Sequence, residues 1–559
     1  MADRDREWEF HLRSLSSAAR DAADPASDPS LLNSVKPLYE LCKNSDKSEE
    51  ELIARVYPNL NKIFQHCVAS IPQTQTSKAP LLLSILQFFL DFGEAVLHDA
   101  ESSMRTFFRS CLSREFADPI VAEAALEFLS SNKRKLVRMF PTLLPQFFPL
   151  LLKLIAWNGE KLEKLFIRIL SGLISPGSFI PLFPYLVDIP ILVVALEKVE
   201  KSSSGPLVGS TIASIQKSAA PEMLLALMDE AYTGSTIGDG GADSESEDST
   251  PMAVADSLFL DLLKDENDGL AERHWTSPSM AASLQALINT PLSNKLKEAL
   301  RIAPRLLDSY FGFAVHDFSD DSLTCALIPL IMTRYSTLFP DKIFSYEIQK
   351  KLLEFILAAF RRSPHSIALL KKPIADRLGE AYDNPAKTEL AMQLCWAIGE
   401  YGGGGGSHKD AAHELFEGLE LLLYENLSSS RSGGFSFKRS TQSRILCFVV
   451  TAIAKLATYH KELLPRARVS LAKVARSTVS DERVSKRAQD YLGLMSEHAI
   501  CLSVLGPCGP STEVVPRPGI VNWDEGCKKM IGHVPFYILG GQEGIPYHDF
   551  SFMDILPKE

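Results

Sequence analysis

The sequence predicts an all-α protein: an α-solenoid of HEAT- or armadillo-like helical hairpins with an irregular C-terminal tail. Apolar residues recur at helical spacing almost throughout, sustained period-two alternation is absent, and short breakers separate the amphipathic stretches. At 559 residues the chain exceeds the ~250 at which a single hydrophobic core stops growing, so it must be several domains or a repeat array.

Three stretches show the periodicity. Leu390, Leu394, Ala397, Ile398 and Tyr401 make one apolar stripe; Leu415, Phe416, Leu419, Leu422 and Leu423 make a second; Ile445, Phe448, Val449, Ile453 and Leu456 make a third. The expected breaks fall at Pro58, Pro80, Asp118-Pro119, Pro141, Pro145, Ser175-Pro176-Gly177, Pro190, Pro340, Ser363-Pro364, Asn384-Pro385 and Pro465. Helix, short turn, helix over hundreds of residues reads as stacked hairpins, each covering its neighbour's apolar face. No fixed-period repeat is visible, so the array is degenerate.

The chain divides into residues 1–230, the first part of the solenoid; 231–252, an acidic disordered loop; 253–502, the second part; and 503–559, a tail rich in Pro and Gly. From Ala231 to Glu272 eleven acidic residues face Lys264 alone, and the first half of that stretch has almost nothing to bury. Ser244 and Ser246 lie among its carboxylates as candidate phosphorylation sites, with an unregulated solvated linker as the plainer reading. In the tail, Trp523, Phe536, Tyr537, Tyr547 and Phe550 are expected to dock on the solenoid's own surface.

Apolar residues make up 46% and charged residues 23%, which is ample for burial. Nine cysteines are spread singly, with no C-x-x-C pair, and read as reduced core residues of a cytosolic protein. The charged N-terminus is followed by no apolar stretch of signal-peptide type. The longest uncharged run, Ile169 to Val187, is broken by Gly172, Pro176, Gly177, Pro181 and Pro184, so it reads as two short buried helices and a turn.

No nucleophile elbow, zinc-protease helix, kinase signature or dinucleotide fingerprint occurs, so neither an enzyme nor a cofactor is expected. Gly402–Gly406 lacks the Gly-Lys-Ser/Thr ending of a phosphate loop and reads as a flexible loop. His413 and Glu417 are one helical turn apart, and with His408 they have the spacing of metal ligands; surface polarity explains them more simply. His316-Asp317 with Asp320-Asp321 fits a helix cap and first turn better than a cation site. No metal is expected.

The clearest electrostatic feature is the zone from Arg431 to Arg487, with thirteen basic residues against Glu462, Asp481 and Glu482. Lys438, Arg439, Arg444, Lys455, Lys461, Arg466, Arg468 and Lys473 form the candidate patch for an acidic partner or an anionic membrane surface. The plain alternative is the exposed face of ordinary helices. Lys133-Arg134-Lys135 with Arg138 imitates a nuclear signal but fits a solvated helix end.

Trp396-Ala397-Ile398-Gly399-Glu400-Tyr401 resembles the Trp-x-Ile-Gly-Glu-Tyr helix of large adaptin trunks. Trp396 and Ile398 supply apolar area, Gly399 allows a neighbouring helix to approach, and Tyr401 offers a hydroxyl near the helix end. Phe147-Phe148 through Trp157-Asn158, Leu415 to Tyr424, and Leu463-Leu464-Pro465-Arg466-Ala467 narrow the match. In that order, between about Pro141 and Leu494, they resemble the zeta-subunit family of the fifth adaptor protein complex.

The resemblance implies a non-enzymatic large subunit of a heterotetramer with another large, a medium and a small subunit. It also implies association with spatacsin- and spastizin-like proteins, and a cytoplasmic protein recruited peripherally to late endosomes and lysosomes for retrieval toward the Golgi. The family supplies no catalytic residue to carry over. A second reading, from the basic zone, is a helical-repeat scaffold for nucleic acid or for nuclear-transport or repair partners; the first reading does not expect nucleic acid.

Overall fold

In the computed structural model the described residues are 2–20, 29–44, 49–71, 77–202, 262–267, 284–316, 321–381, 385–402, 409–429, 436–477, 481–496, 501 and 505. Among them there are helices and turns and no strand, so the fold is of the all-α helical-repeat class. The chain forms two compact units that divide between Tyr310 and Phe311. The expected loop at 231–252, Ser244 and Ser246 within it, His408, and almost all of the tail lie outside the described residues.

The first unit runs through α1 (Ala2–Ala18), α2 (Pro29–Asn44), α3 (Glu49–Ser70), α4 (Ala79–Phe92), α5 (Ala100–Phe107), α6 (Pro119–Met139), α7 (Phe148–Asn158), α8 (Glu163–Leu173), α9 (Phe179–Val187) and α10 (Ile189–Ser202). Next comes α11 (Asn294–His316), within which the division falls. Most of these helices pack on their sequence neighbour and the one after, as α2 does on α1, α3 and α4, while α10 packs mainly on α7. This local pattern is what stacked hairpins require.

Sequence signals place the ends of these helices. Asp118 caps α6 by accepting from the Ile120 amide at 2.8 Å, with Pro119 at the first helical position, where a missing N–H is harmless. Asp99 caps α5 in the same way through the Ser102 amide at 3.1 Å. Pro58 corrects an expectation: it lies inside α3 and breaks nothing. Its side of the helix is exposed while Ile53, Val56, Leu60, Ile63, Phe64 and Cys67 are buried on the other, and that burial outweighs the ~3 kcal/mol helical cost of proline.

The uncharged run is α8, a turn and α9, with buried side chains on both helices, as expected. Helix α4 is apolar and long enough with its following turn to cross a membrane by composition, yet it is a core helix with nine buried residues. Lys133 and Lys135 also depart from the expected solvated helix end. Lys133 reaches the Arg168 carbonyl (2.8 Å) and the Ser171 hydroxyl (3.1 Å) on α8. Lys135 pairs with Asp91 of α4 at 2.7 Å.

The second unit continues with α12 (Asp321–Arg334), α13 (Lys342–Arg362), α14 (Lys371–Glu380), α15 (Pro385–Tyr401), α16 (Lys409–Ser429), α17 (Ser436–Tyr459), α18 (Leu464–Ala475) and α19 (Glu482–Leu494). Here α15 packs on α17, α16 on α17, α17 on α19 and α18 on α19. The three apolar stripes read from the sequence face these contacts: all their members are buried except the half-buried Tyr401. Cys42, Cys67, Cys111, Cys395, Cys447 and Cys501 are buried free thiols, and Cys325 is a half-buried one.

Candidate partner-binding surface

Helices α15 to α19 carry both the signature segment and the basic zone. In the signature, Ile398 is fully buried, and Trp396 and Tyr401 meet edge to face with ring centroids 5.7 Å apart. A Cβ built on Gly399 would lie 3.2 Å from the Ala452 Cα and 3.3 Å from the Lys455 Cδ, so the absent side chain is what lets α17 come this close. Glu400 accepts from the Lys455 ammonium, and both groups are buried. Ile398, Gly399 and Glu400 therefore fasten α15 to its surroundings, while Trp396 and Tyr401 pack on each other.

This pairing removes Lys455 from the expected patch. Counting charge along the sequence cannot separate a cation facing solvent from one facing a carboxylate two helices away. Arg487, at the end of the basic zone, is likewise buried. Lys438 and Arg439 belong to α17, but their side chains are outside the described residues. Arg444 is half-buried on the same helix.

The remaining candidates meet on and beside α18, where Lys461 is exposed in the turn just before the helix. Arg466 bridges Glu417 (3.0 Å) and Glu420 (2.7 Å) while its guanidinium lies 5.6 Å from the Phe416 ring centre. Those carboxylates raise its pKa further above an already high value, with the hydrogen bond that Arg466 donates to Glu417 the largest cause. Arg468 donates to the Met495 carbonyl at 2.6 Å, and Lys473 lies 4.7 Å from the Tyr424 ring centre. These contacts are made by the charged groups themselves, on side chains that stay exposed.

At 100° per residue, Arg466 and Lys473 lie along one edge of the exposed face of α18 and Arg468 along the other. Val469, 55% exposed, and Arg476 lie between them. An apolar residue ringed by cations is a surface that an acidic partner with an apolar contact can cover. Neither Val469 nor Arg476 was singled out as a patch residue from the sequence. The missed signal is a valine that interrupts a basic stripe at i+3 from Arg466.

His413 and Glu417 do not converge on a metal: Glu417 is engaged by Arg466, and among the described residues no cluster of three potential ligands occurs. Asp321 opens α12 as an acidic first-turn residue, and its carboxylate also accepts from the Ser363 hydroxyl at 2.8 Å. In the first unit Trp157 is buried, with the Lys295 ammonium 3.0 Å from its ring centre. Desolvation there lowers the pKa of Lys295.

Two family models match the chain. One, described as AP-5 complex subunit, vesicle trafficking, covers residues 26–153; the other, the C-terminal TPR repeats of AP-5 complex subunit zeta-1, covers residues 243–515. Among curated proteins, the AP-5 complex subunit zeta-1 of Homo sapiens is 26% identical over 78% of this chain and 51% of its own length. The Mus musculus protein of the same name is 24% identical with the same coverage. The chain thus spans about half the length of these relatives. No solved structure matches.

Proposed function

The chain belongs to the family of AP-5 complex zeta subunits, and from that premise we propose that it is a non-enzymatic large subunit of a heterotetrameric vesicle-trafficking adaptor. The supporting observation is how the motif residues are used. Glu400, Gly399 and Ile398 join helices to one another, which leaves the outer faces of the stack for partners. In this reading the other large, medium and small adaptor subunits and spatacsin- and spastizin-like proteins assemble on it. It is recruited from the cytoplasm to late endosomes and lysosomes for retrieval toward the Golgi.

Within that function we assign the exposed face of α18, with Lys461, Arg466, Arg468, Val469 and Lys473, to an acidic partner or an anionic membrane surface. The rival reading, a nucleic-acid scaffold, loses Lys455 and Arg487 of the basic zone to the interior. Affinity capture of the tagged full chain from cell lysate, with partners identified by mass, tests the proposal. Recovery of medium and small adaptor subunits is expected. Their absence, together with salt-sensitive retention of RNA or DNA, would transfer the chain to the rival class.

A further inference from the structure

Residues 262–267 lie across the first unit in a cleft between α7 and the π-helical turn, Phe108–Leu112, that follows α5. Leu262 and Leu263 have no exposed surface. The Lys153 ammonium, itself 1% exposed, donates to the Leu263 carbonyl and, at 2.7 Å, to the Asp265 carboxylate. The other Asp265 oxygen accepts from the Ser113 hydroxyl at 2.6 Å. Arg109 grips both oxygens of Glu266, at 2.6 and 2.9 Å, and Gln146 adds a third bond at 2.5 Å.

The backbone is held as well. The Leu150 amide donates to the Asp265 carbonyl at 3.2 Å, and the Asn267 amide donates to the Gln146 carbonyl at 2.6 Å. Each of these hydrogen bonds reads a generic feature of a short peptide, a backbone carbonyl or amide or a carboxylate, while the two leucines supply the buried apolar part. Bidentate arginine and a dry lysine are the strong forms of carboxylate recognition. The cleft residues Arg109, Ser113, Gln146 and Lys153 fall inside the first matched family region, whereas the seated segment falls inside the second.

We propose that this cleft is a receptor for a short peptide with two adjacent leucines followed by two carboxylates, and that residues 262–267 occupy it in cis until a partner protein's segment of that chemistry displaces them. Exchange for a peptide of the same chemistry gives Lys153 and Arg109 new carboxylates in place of Asp265 and Glu266, so the exchanged state keeps both ion pairs. A tethered occupant at an effective concentration on the order of 1 mM suppresses a free peptide of ~10 µM affinity about 100-fold.

The probe is a fluorescein-labelled peptide with the sequence of residues 258–270, titrated by anisotropy into the full chain. The double variant Asp265→Asn with Glu266→Gln weakens the tethered segment and leaves the cleft intact, so it should bind the probe roughly 100-fold more tightly than the unaltered chain does. Adding Arg109→Glu should abolish that gain. Equal, weak binding by the unaltered chain and the double variant, with unchanged melting temperatures, overturns the proposal.

A second arm keeps the native segment. Protease sites placed near residues 245 and 275 release it after folding, and the labelled peptide should then exchange into the cleft. A released segment that never exchanges, or a unit that unfolds when the segment is washed out, makes it a permanent part of the core and overturns the proposal equally.

Discussion

The Lys455 ammonium on α17 donates to the Glu400 carboxylate on α15, with side chains 5% and 10% exposed respectively. A buried ion pair roughly balances its own desolvation, but losing one partner strands the other charge away from water. Lys455→Met should therefore destabilise the second unit by about 3–5 kcal/mol, whereas Lys455→Met with Glu400→Leu should recover most of that loss. Denaturant melts of the single and double variants check this.

Gly399 and Gly312 should respond in opposite ways to alanine. At Gly399 a new Cβ meets the Ala452 backbone at 3.2 Å, which cannot yield, so Gly399→Ala should cost about 1–2 kcal/mol despite its better helix propensity. At Gly312, inside α11, nothing lies within 4 Å of the same atom, and Gly312→Ala should gain about 0.5–1 kcal/mol. Thermal melts of both variants separate packing from propensity.

Asp91 accepts from Tyr39 (2.6 Å), Gln87 (2.6 Å) and Lys135 (2.7 Å) and so ties α2 and α6 to α4. Burial pushes its pKa up, but the hydrogen bonds, led by Lys135, outweigh this and hold it below the ordinary carboxylate value. A folded value below the unfolded one gives stability that is present above pH ~4 and lost as pH falls through the folded value. Asp91→Asn should flatten the acid limb of a stability-versus-pH curve and also lower stability near neutrality.

The exposed face of α18 should be separable from the fold. Val469→Asp with Lys473→Glu changes exposed side chains and removes only the surface contact of Lys473 with Tyr424, so stability should fall by no more than ~1 kcal/mol. Capture of acidic partners or of anionic vesicles should fall about tenfold or more, and more steeply at low salt. Co-sedimentation with vesicles that contain or lack anionic lipid distinguishes a membrane from a protein partner. Retained capture of both would return the face to ordinary solvated surface.

Much of the architecture was legible because it depends on local rules. Asp118-Pro119 announces the start of α6, Pro385 and Pro465 mark helix starts, and the stripes of α15, α16 and α17 are periodic enough to fix their buried faces. Pro58 misled because a proline on a solvent-facing side can be carried by the buried face opposite. The basic zone misled for a different reason: Lys455 and Arg487 are indistinguishable in one dimension from Lys461 and Lys473.

The docked segment shows the same limit. The sequence reading places residues 262–267 in the second part of the solenoid, and nothing local says that Asp265 and Glu266 meet Lys153 and Arg109, more than a hundred residues earlier. The sequence by itself determined the helical class, most helix boundaries and the family resemblance, because spacing, caps and apolar stripes act within a few turns of chain. Tertiary structure alone decided which charges face water and which face each other, since a charge's energy depends on the groups and solvent that folding brings around it.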